Sequence, residues 1–443
     1  DKRWGFFPSF SAGWNVSREP FWRDLEHIVN NFKIRGSWGE LGNCNTTAFY
    51  PFYQTMPTGV ENSGWLINGK KPNTASAPGI VSAEMTWETV RSWNIGFDFG
   101  LLNNRLTGSF DYFVRNTLDM IGPAPQLPAT LGATVPKVNN ADMKAWGFEV
   151  EVSWRDRIKD FNYGVKFVLS DDQRKVTRYP NEELNRNQWY AGRMDGLVWG
   201  YETVGIAKTD AEMEAHLASL PNGGQSQLGS KWAAGDIMYK DLNGDGKISS
   251  GDGTLNDLGD LKVVANTQLR FKYGLTLDAS WKGFDFSAFF QGVGKRDVVV
   301  GGPYFWGANG QGMWQAAAFK DHMDYFRPED TESVFGPNVD AYYPRVIFGG
   351  GSSEGGKNTL TQSRYVQNGA YIRLKNLQLG YTLPSTITKK FAVNSLRVYV
   401  SGDNLWTGTK MRVFDPEVLG STGDAGKAYP LARVWSVGLN VNF

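Results

Sequence analysis

Apolar and polar residues alternate along most of this chain, and the alternation recurs in separate blocks. Pro8, Phe10, Ala12 and Trp14 interleave with Ser9, Ser11, Gly13 and Asn15. Phe32, Ile34 and Trp38 interleave with Lys33, Arg35 and Ser37. Trp93, Ile95, Phe97, Phe99 and Leu101 interleave with Asn94, Gly96, Asp98 and Gly100. Similar blocks lie at 106–114, at Phe148, Val150, Val152 and Trp154, and at Tyr163, Val165, Phe167 and Leu169. Phe271, Tyr273, Leu275, Leu277 and Ala279 are followed by Phe284, Phe286, Ala288 and Phe290, then by blocks at 372–381 and 396–400. In the closing block Trp435, Val437, Leu439, Val441 and Phe443 face away from Ser436, Gly438, Asn440 and Asn442. A period of two is the period of a strand. The chain therefore reads as all-β, with about eleven strands that each carry one apolar and one polar face.

The links between blocks sort by length. Short ones, at 17–31, 102–104, 156–160, 282–283 and 384–394, follow the odd strands. Long ones, at 40–91, 116–145, 171–267, 292–370 and 406–432, follow the even strands. A soluble sandwich has no reason to sort its loops by side. A transmembrane antiparallel β-barrel does, with short periplasmic turns, long extracellular loops, and an apolar face toward lipid. On that reading the last strand ends in the periplasm. Trp38, Trp93 and Trp154 fall near strand ends, where interfacial aromatic girdles lie. Single-chain bacterial barrels have even strand numbers, so an odd count suggests part of a barrel of about 22 strands, a size whose lumen is plugged.

Composition narrows the alternatives. The chain has 443 residues, 21% charged and 14% aromatic, with 52 glycines and a formal net charge of +1. That balance gives no electrostatic case for nucleic acid. Mean hydropathy is −0.39, and no apolar run is long enough for a transmembrane helix. A barrel escapes that test because alternation averages hydropathy out. Cys44 is the only cysteine, so no internal disulfide forms. Asp1 opens no signal peptide, and the chain starts inside a strand pattern, as a fragment or processed product would.

One segment carries metal chemistry. Asp241, Asn243 and Asp245 stand at positions one, three and five of an EF-hand-like loop, and Gly246 stands at the sixth, where the turn is sharp. Lys247 would offer its carbonyl, Ser249 would act through water, and Asp252 stands at the twelfth position in place of the usual Glu. These residues predict a structural Ca2+ in a long extracellular loop, against the alternative of an Asx-rich turn without metal. No long helix pattern follows, so this is not a paired sensor. Asp257 and Asp260 are close by but off the spacing.

Catalytic readings are weak. Gly351-Ser-Ser353-Glu-Gly355 matches G-x-S-x-G, but no helix pattern follows, and His27, His216 and His322 all precede it. Glu149 and Glu151 resemble a glycosidase pair, yet their spacing puts both on one polar stripe. Thr209-Asp-Ala-Glu212 predicts a capping box opening a short helix to Leu217. The chain reads as no enzyme. Trp199, Tyr201, Tyr304, Trp306 and Trp314 in the long loops are candidates to stack on sugar rings, peptide side chains or a partner, with loop packing the competing role.

Several stretches resemble SusC/RagA-type TonB-dependent outer-membrane transporters. They are Gly5-Phe-Phe-Pro-Ser-Phe-Ser-Ala-Gly-Trp-Asn15, Phe32-Lys-Ile-Arg-Gly-Ser-Trp-Gly-Glu-Leu-Gly-Asn43, Tyr371-Ile-Arg-Leu-Lys-Asn-Leu377, Gly402-Asp-Asn-Leu405, Asp415-Pro-Glu417 and Tyr429-Pro430. They span nearly the whole chain in that family's order. The closing pattern, with Ser436, Gly438, Val441 and Phe443, is read as an assembly signal. The resemblance implies import of oligosaccharides or oligopeptides across the outer membrane of a Gram-negative bacterium. It implies a SusD-like surface lipoprotein as partner and energy from the TonB complex, acting through a plug that has no counterpart in this sequence. A non-transporting barrel, such as an adhesin or a secretion or assembly component, is the alternative.

Overall fold

The computed structural model describes residues 4–44, 53–60, 65–76, 78–82, 85–122, 130, 138–309, 318–347, 353–412, 414–420 and 428–443. Eleven strands form one sheet in which each pairs with its sequence neighbour, always antiparallel. They are β1 (Ser9–Asn15), β2 (Val29–Asn43), β3 (Glu88–Leu101), β4 (Leu106–Ile121), β5 (Asn139–Ile158) and β6 (Phe161–Arg178). Then come β7 (Arg270–Trp281), β8 (Phe284–Lys295), β9 (Tyr371–Thr382), β10 (Ser395–Thr409) and β11 (Val434–Asn442). β1 and β11 are the edges of the sheet. Among the described residues no helix is long and apolar enough to cross a membrane, which says nothing of strands.

The register keeps the two faces apart. Phe32 pairs with Phe99, Ile34 with Phe97, Phe97 with Phe110, and Phe110 with Val150, all on the outer face. Ring contacts run sideways along it, with Phe97 5.5 Å from Phe110 and Phe110 6.5 Å from Phe148. Large apolar residues on this face stay open, among them Trp93, Ile95, Phe286, Leu379 and Val437. Contiguous exposed apolar surface of that extent needs a nonpolar solvent, which lipid supplies.

Turn chemistry closes the short ends. Lys282 and Gly283 both have positive φ, 46° and 90°, as a two-residue primed turn requires. Leu102, Asn103 and Asn104 also lie in the left-handed region. All five long links leave from the opposite end of the sheet, as the alternation of link lengths predicts.

The largest buried cluster is not in the wall, where Ala141 of β5 and Val176 of β6 make only a small one with Tyr179. It lies in three of the five long links, which fold together. Tyr201, Ile237, Tyr239 and Ile248 from one link pack with Val298, Phe305, Phe326, Tyr343 and Tyr365 from a second and Met411 and Leu419 from a third. Short sheets stitch this body: 197–201 with 261–266, 203–206 with 237–239, and 297–299 with 366–368. The predicted capping box forms only in part: Glu212 N donates to Thr209 Oγ1 at 3.1 Å and opens helix Asp210–Ala218. Glu212 reaches back to Lys208 N at 2.6 Å instead of to Thr209 N.

Candidate functional site: the lumenal wall and the loop body

The polar face of the wall carries paired charge. One register row runs Arg35, Gly96, Asp111, Glu149, Ser170 and Lys272 across six strands. Arg35 donates to Asp98 at 3.2 Å and to Asp111 at 2.5 Å, so it crosses β3 to reach β4. Gly96 makes that crossing possible, because a Cβ there would stand 2.6 Å from Asp111 Oδ1. Ser109, Asp111, Glu149, Glu151, Ser170 and Lys272 line a recess of about 240 Å³ in this wall. Glu151 holds Lys166 at 2.7 Å, with both side chains nearly half exposed. A polar, charge-paired face of this kind is what the lumen side of a membrane barrel presents. Glu149 and Glu151 share it, as their spacing predicts.

Within the loop body a buried carboxylate ties three segments. Asp236 is fully buried and binds Arg345 at 2.7 Å, Lys357 at 3.0 Å and the Asn358 amide at 2.8 Å. Lys357 is also buried, stands 4.5 Å from the Trp232 ring centroid, and donates to the Lys231 carbonyl. Ser230 donates through its amide and its hydroxyl to Glu354, which these contacts hold down at about 2 from its ordinary 4.5. Sequence reading missed this cluster because its two halves, 230–236 and 345–358, lie more than 100 residues apart and follow no period.

The candidate calcium loop folds as a set of Asx turns. Asp241 accepts from Gly244 N at 2.6 Å and Gly246 N at 2.9 Å. Asn243 accepts from Asp245 N, and Asp245 from Lys247 N. Gly244 and Gly246 have φ of 78° and 77°, the sharp turn expected there. Asp252 does not close the loop, because it turns to Thr254 N at 2.7 Å. Asp260 closes it instead. It is fully buried and accepts from Leu242 N and Ser249 N, both at 2.7 Å. Burial raises its pKa, and the charges of Asp241 and Asp245 raise it further. The off-pattern Asp260, rather than Asp252, is thus the carboxylate that ties the loop's backbone amides together. Among the described residues no three carboxylate, imidazole or thiol groups already converge as metal ligands.

The aromatic candidates divide. Tyr201 and Trp306 are each 7% exposed and belong to the core of the loop body, which corrects their assignment as contact residues. Their rings are buried against Tyr239, Phe305 and Tyr365 and have no free face. Trp199 is half-buried on strand Leu197–Tyr201. Tyr304 is exposed and stacks on Phe319 at 5.8 Å. Trp314, Gly351 and Ser352 lie outside the described residues. The helix after Ser353 is a single turn, Ser353–Gly356, too short for a nucleophile elbow. His216 contacts Gln225 and His322 the Phe305 carbonyl, so both are engaged in loop packing. Ser436, Gly438 and Val441 lie on β11 in full register with β10, and Phe443 follows it, exposed.

An antiparallel wall with lipid-facing aromatics, a charged inner face and every long loop at one end defines an outer-membrane β-barrel. The chain belongs to the TonB dependent receptor-like β-barrel family, whose pattern it matches over residues 1–405. It is 27% identical to TonB-dependent receptor P3 of Formosa agariphila, over the whole of this chain and 42% of that protein. It is 24% identical to TonB-dependent receptor SusC of Bacteroides thetaiotaomicron, again over the whole chain and 40% of that protein. The fold is similar to the RagAB peptide transporter, with a TM-score of 0.72 and 21% identity over 99% of this chain and 43% of that one. The chain thus spans less than half the length of the relatives it matches.

Proposed function

We propose that this chain is wall and extracellular cap of an active outer-membrane importer for oligosaccharides or oligopeptides. The observation that carries the reading is a folded loop body with its own core, gathered at one end of a wall whose inner face is polar and charge-paired. A rigid cap of that kind can seat a partner and shape an entrance, whereas loose loops cannot. The likeness to SusC and to a peptide transporter supports it. The long loops face outward, the 282–283 turn faces the periplasm, a SusD-like lipoprotein covers the cap, and the TonB complex supplies energy. Tyr304 and Trp199 are the candidate contacts for cargo or partner, since they keep exposed surface.

Uptake of labelled oligosaccharide and oligopeptide pools by cells with and without the full-length gene tests this. Gene-dependent uptake that a protonophore abolishes is expected. Gene-independent uptake, or uptake indifferent to the proton-motive force, would sink the reading.

We also propose that the 241–260 loop takes a structural Ca2+. Asp241, Asn243, Asp245, the Lys247 carbonyl and Ser249 supply oxygens, with Asp260 taking the closing role first given to Asp252. The placement of four acidic or amide side chains on one tight loop, with Asp260 repelled by Asp241 and Asp245, supports it.

A further inference from the structure

We propose that Lys144, Lys175 and Trp146, on the outer face of the barrel, bind the phosphate-bearing headgroup of an outer-leaflet lipid. Trp146 lies on β5 in register with Val114 and Gln173, on the lipid-facing side with Phe148 and Val150. Along the same strand and face, Trp154 lies toward the short-turn end. At about 3.3 Å per residue and a tilt of about 40°, the stretch between them rises about 20 Å. An apolar band is about 25 Å tall with aromatics at both borders, so Trp146 falls within a few Å of the upper border, just above the Asp171–Arg270 pair.

Lys144 is one outward position above that border. Its direct cross-strand partner is Lys175 on β6. Both ammonium groups approach the same ring, at 6.0 Å and 5.9 Å from the Trp146 centroid. Like charges placed opposite each other on adjacent strands repel. The carboxylates that share this face are already taken. Asp142 and Asp119 are both bound to Arg178 at 2.7 Å, Asp171 to Arg270 at 2.5 Å, and Glu40 to Arg91 at 2.7 Å. Neither lysine has a carboxylate partner among the described residues. The rest of that level is amide, with Asn116 across from Lys144 and Gln173 across from Trp146. Two unpaired cations, two amides and an indole near the edge of the hydrocarbon form a complement to a lipid phosphate, whose acyl chains would lie along Val150 and Leu169, below the Asp171–Arg270 pair.

This inference rests on the membrane placement proposed above. The test uses the full-length protein in detergent, with native mass spectrometry reporting retained lipid. The probes are lipid A bearing two phosphates, the same lipid stripped of phosphate, and inorganic phosphate. The phosphorylated lipid is expected to be retained and the stripped one lost. Lys144→Gln and Lys175→Gln should each weaken retention about five-fold, and the pair about 25-fold. Lys144→Arg with Lys175→Arg should keep it, which separates charge from folding. Equal retention of the stripped lipid, unchanged retention by the double Gln variant, or displacement by millimolar inorganic phosphate would overturn the proposal. Uptake by the double Gln variant should match the parent, so lipid loss with uptake intact bears on this site alone. Loss of uptake in the parent would bear on transport alone.

Discussion

Gly438 of β11 lies directly across from Tyr399 of β10, and the tyrosine ring covers it so closely that a Cβ would stand 2.1 Å from Cζ. The ring thus packs flat against backbone at the seam between the last two strands. Overpacking such a contact costs about 1–3 kcal/mol. Gly438→Val should therefore slow assembly and lower the temperature at which the folded band is lost in a heat-modifiability gel. Tyr399→Ala in the same background should restore part of that loss. Additive defects in the double variant would show that the two residues do not act through each other.

The same strand carries the proposed assembly signal. Val441 is in register with Leu396, and β11 is a sheet edge that lipid does not tolerate unpaired. Deleting residues 441–443 in the full protein should leave it unassembled and protease-sensitive. Normal surface levels of a heat-modifiable barrel after the deletion would refute the signal.

Buried Asp236 holds the buried Lys357 and the partly exposed Arg345. Removing one member of a buried ion cluster leaves uncompensated charge, at a cost of about 3–5 kcal/mol. Asp236→Ala should raise hydrogen exchange at 231–239 and 354–362 while β3 to β6 stay protected. The barrel ladders do not depend on this contact. Uniform loosening of barrel and cap together would show that the loop body is not an independent unit.

Acidification should act on the cap through Glu354. Its folded pKa of about 2 lies below its ordinary 4.5, with the Ser230 contacts the main cause. A depressed acid contributes stability that is complete above the unfolded value and is lost as pH falls toward the folded one. Protection at 229–232, measured against the intrinsic exchange rate at each pH, should therefore fall as pH drops from about 5 to about 2.5, and Glu354→Gln should make it low at both values. Asp260 works the other way. Its raised pKa means the folded loop holds a proton where the unfolded chain has released it, so its contribution weakens as pH rises through that interval.

The wall was legible in the sequence and the cap was not, for one physical reason. Each barrel strand has lipid on one face and lumen on the other, so its alternation is strict. Where the period breaks, the sequence misleads. β10 reads as 396–400 but runs to Thr409, because a register shift opposite Leu374 and Asn376 interrupts the alternation around Asn404, whose φ is 53°. The loop body has no period at all. Tyr239, Phe305 and Trp306 are buried by residues from other links, so their burial depends on contacts that no local window contains. Asp252 fits the calcium spacing, but Asp260 is the residue that accepts the amides of Leu242 and Ser249, because its burial there is a property of the fold.

The calcium loop yields the most exposed prediction. Every side-chain oxygen of Asp241, and one each of Asn243 and Asp245, now accepts from a backbone amide of the same turn. Calcium prefers six to eight oxygens at about 2.3–2.6 Å, so binding would draw the remaining oxygens inward and add to these contacts. It would also remove the repulsion between Asp260 and its neighbours, which lowers the Asp260 pKa and favours the charged form. A ligand that binds only the folded loop stabilises it by about 2.7 kcal/mol at a hundred times its dissociation constant. Millimolar calcium should therefore slow exchange at 241–261 and leave the barrel strands unchanged. Asp245→Ala should abolish that slowing. Asp260→Asn should weaken it more than Asp252→Asn, since Asp260 closes the loop. Magnesium, which demands smaller octahedral geometry, should be a poor substitute. Exchange at 241–261 indifferent to calcium, with the loop still ordered, would leave a plain Asx-rich turn. An effect lost with Asp252→Asn and kept with Asp260→Asn would return the closing role to the residue the spacing first suggests.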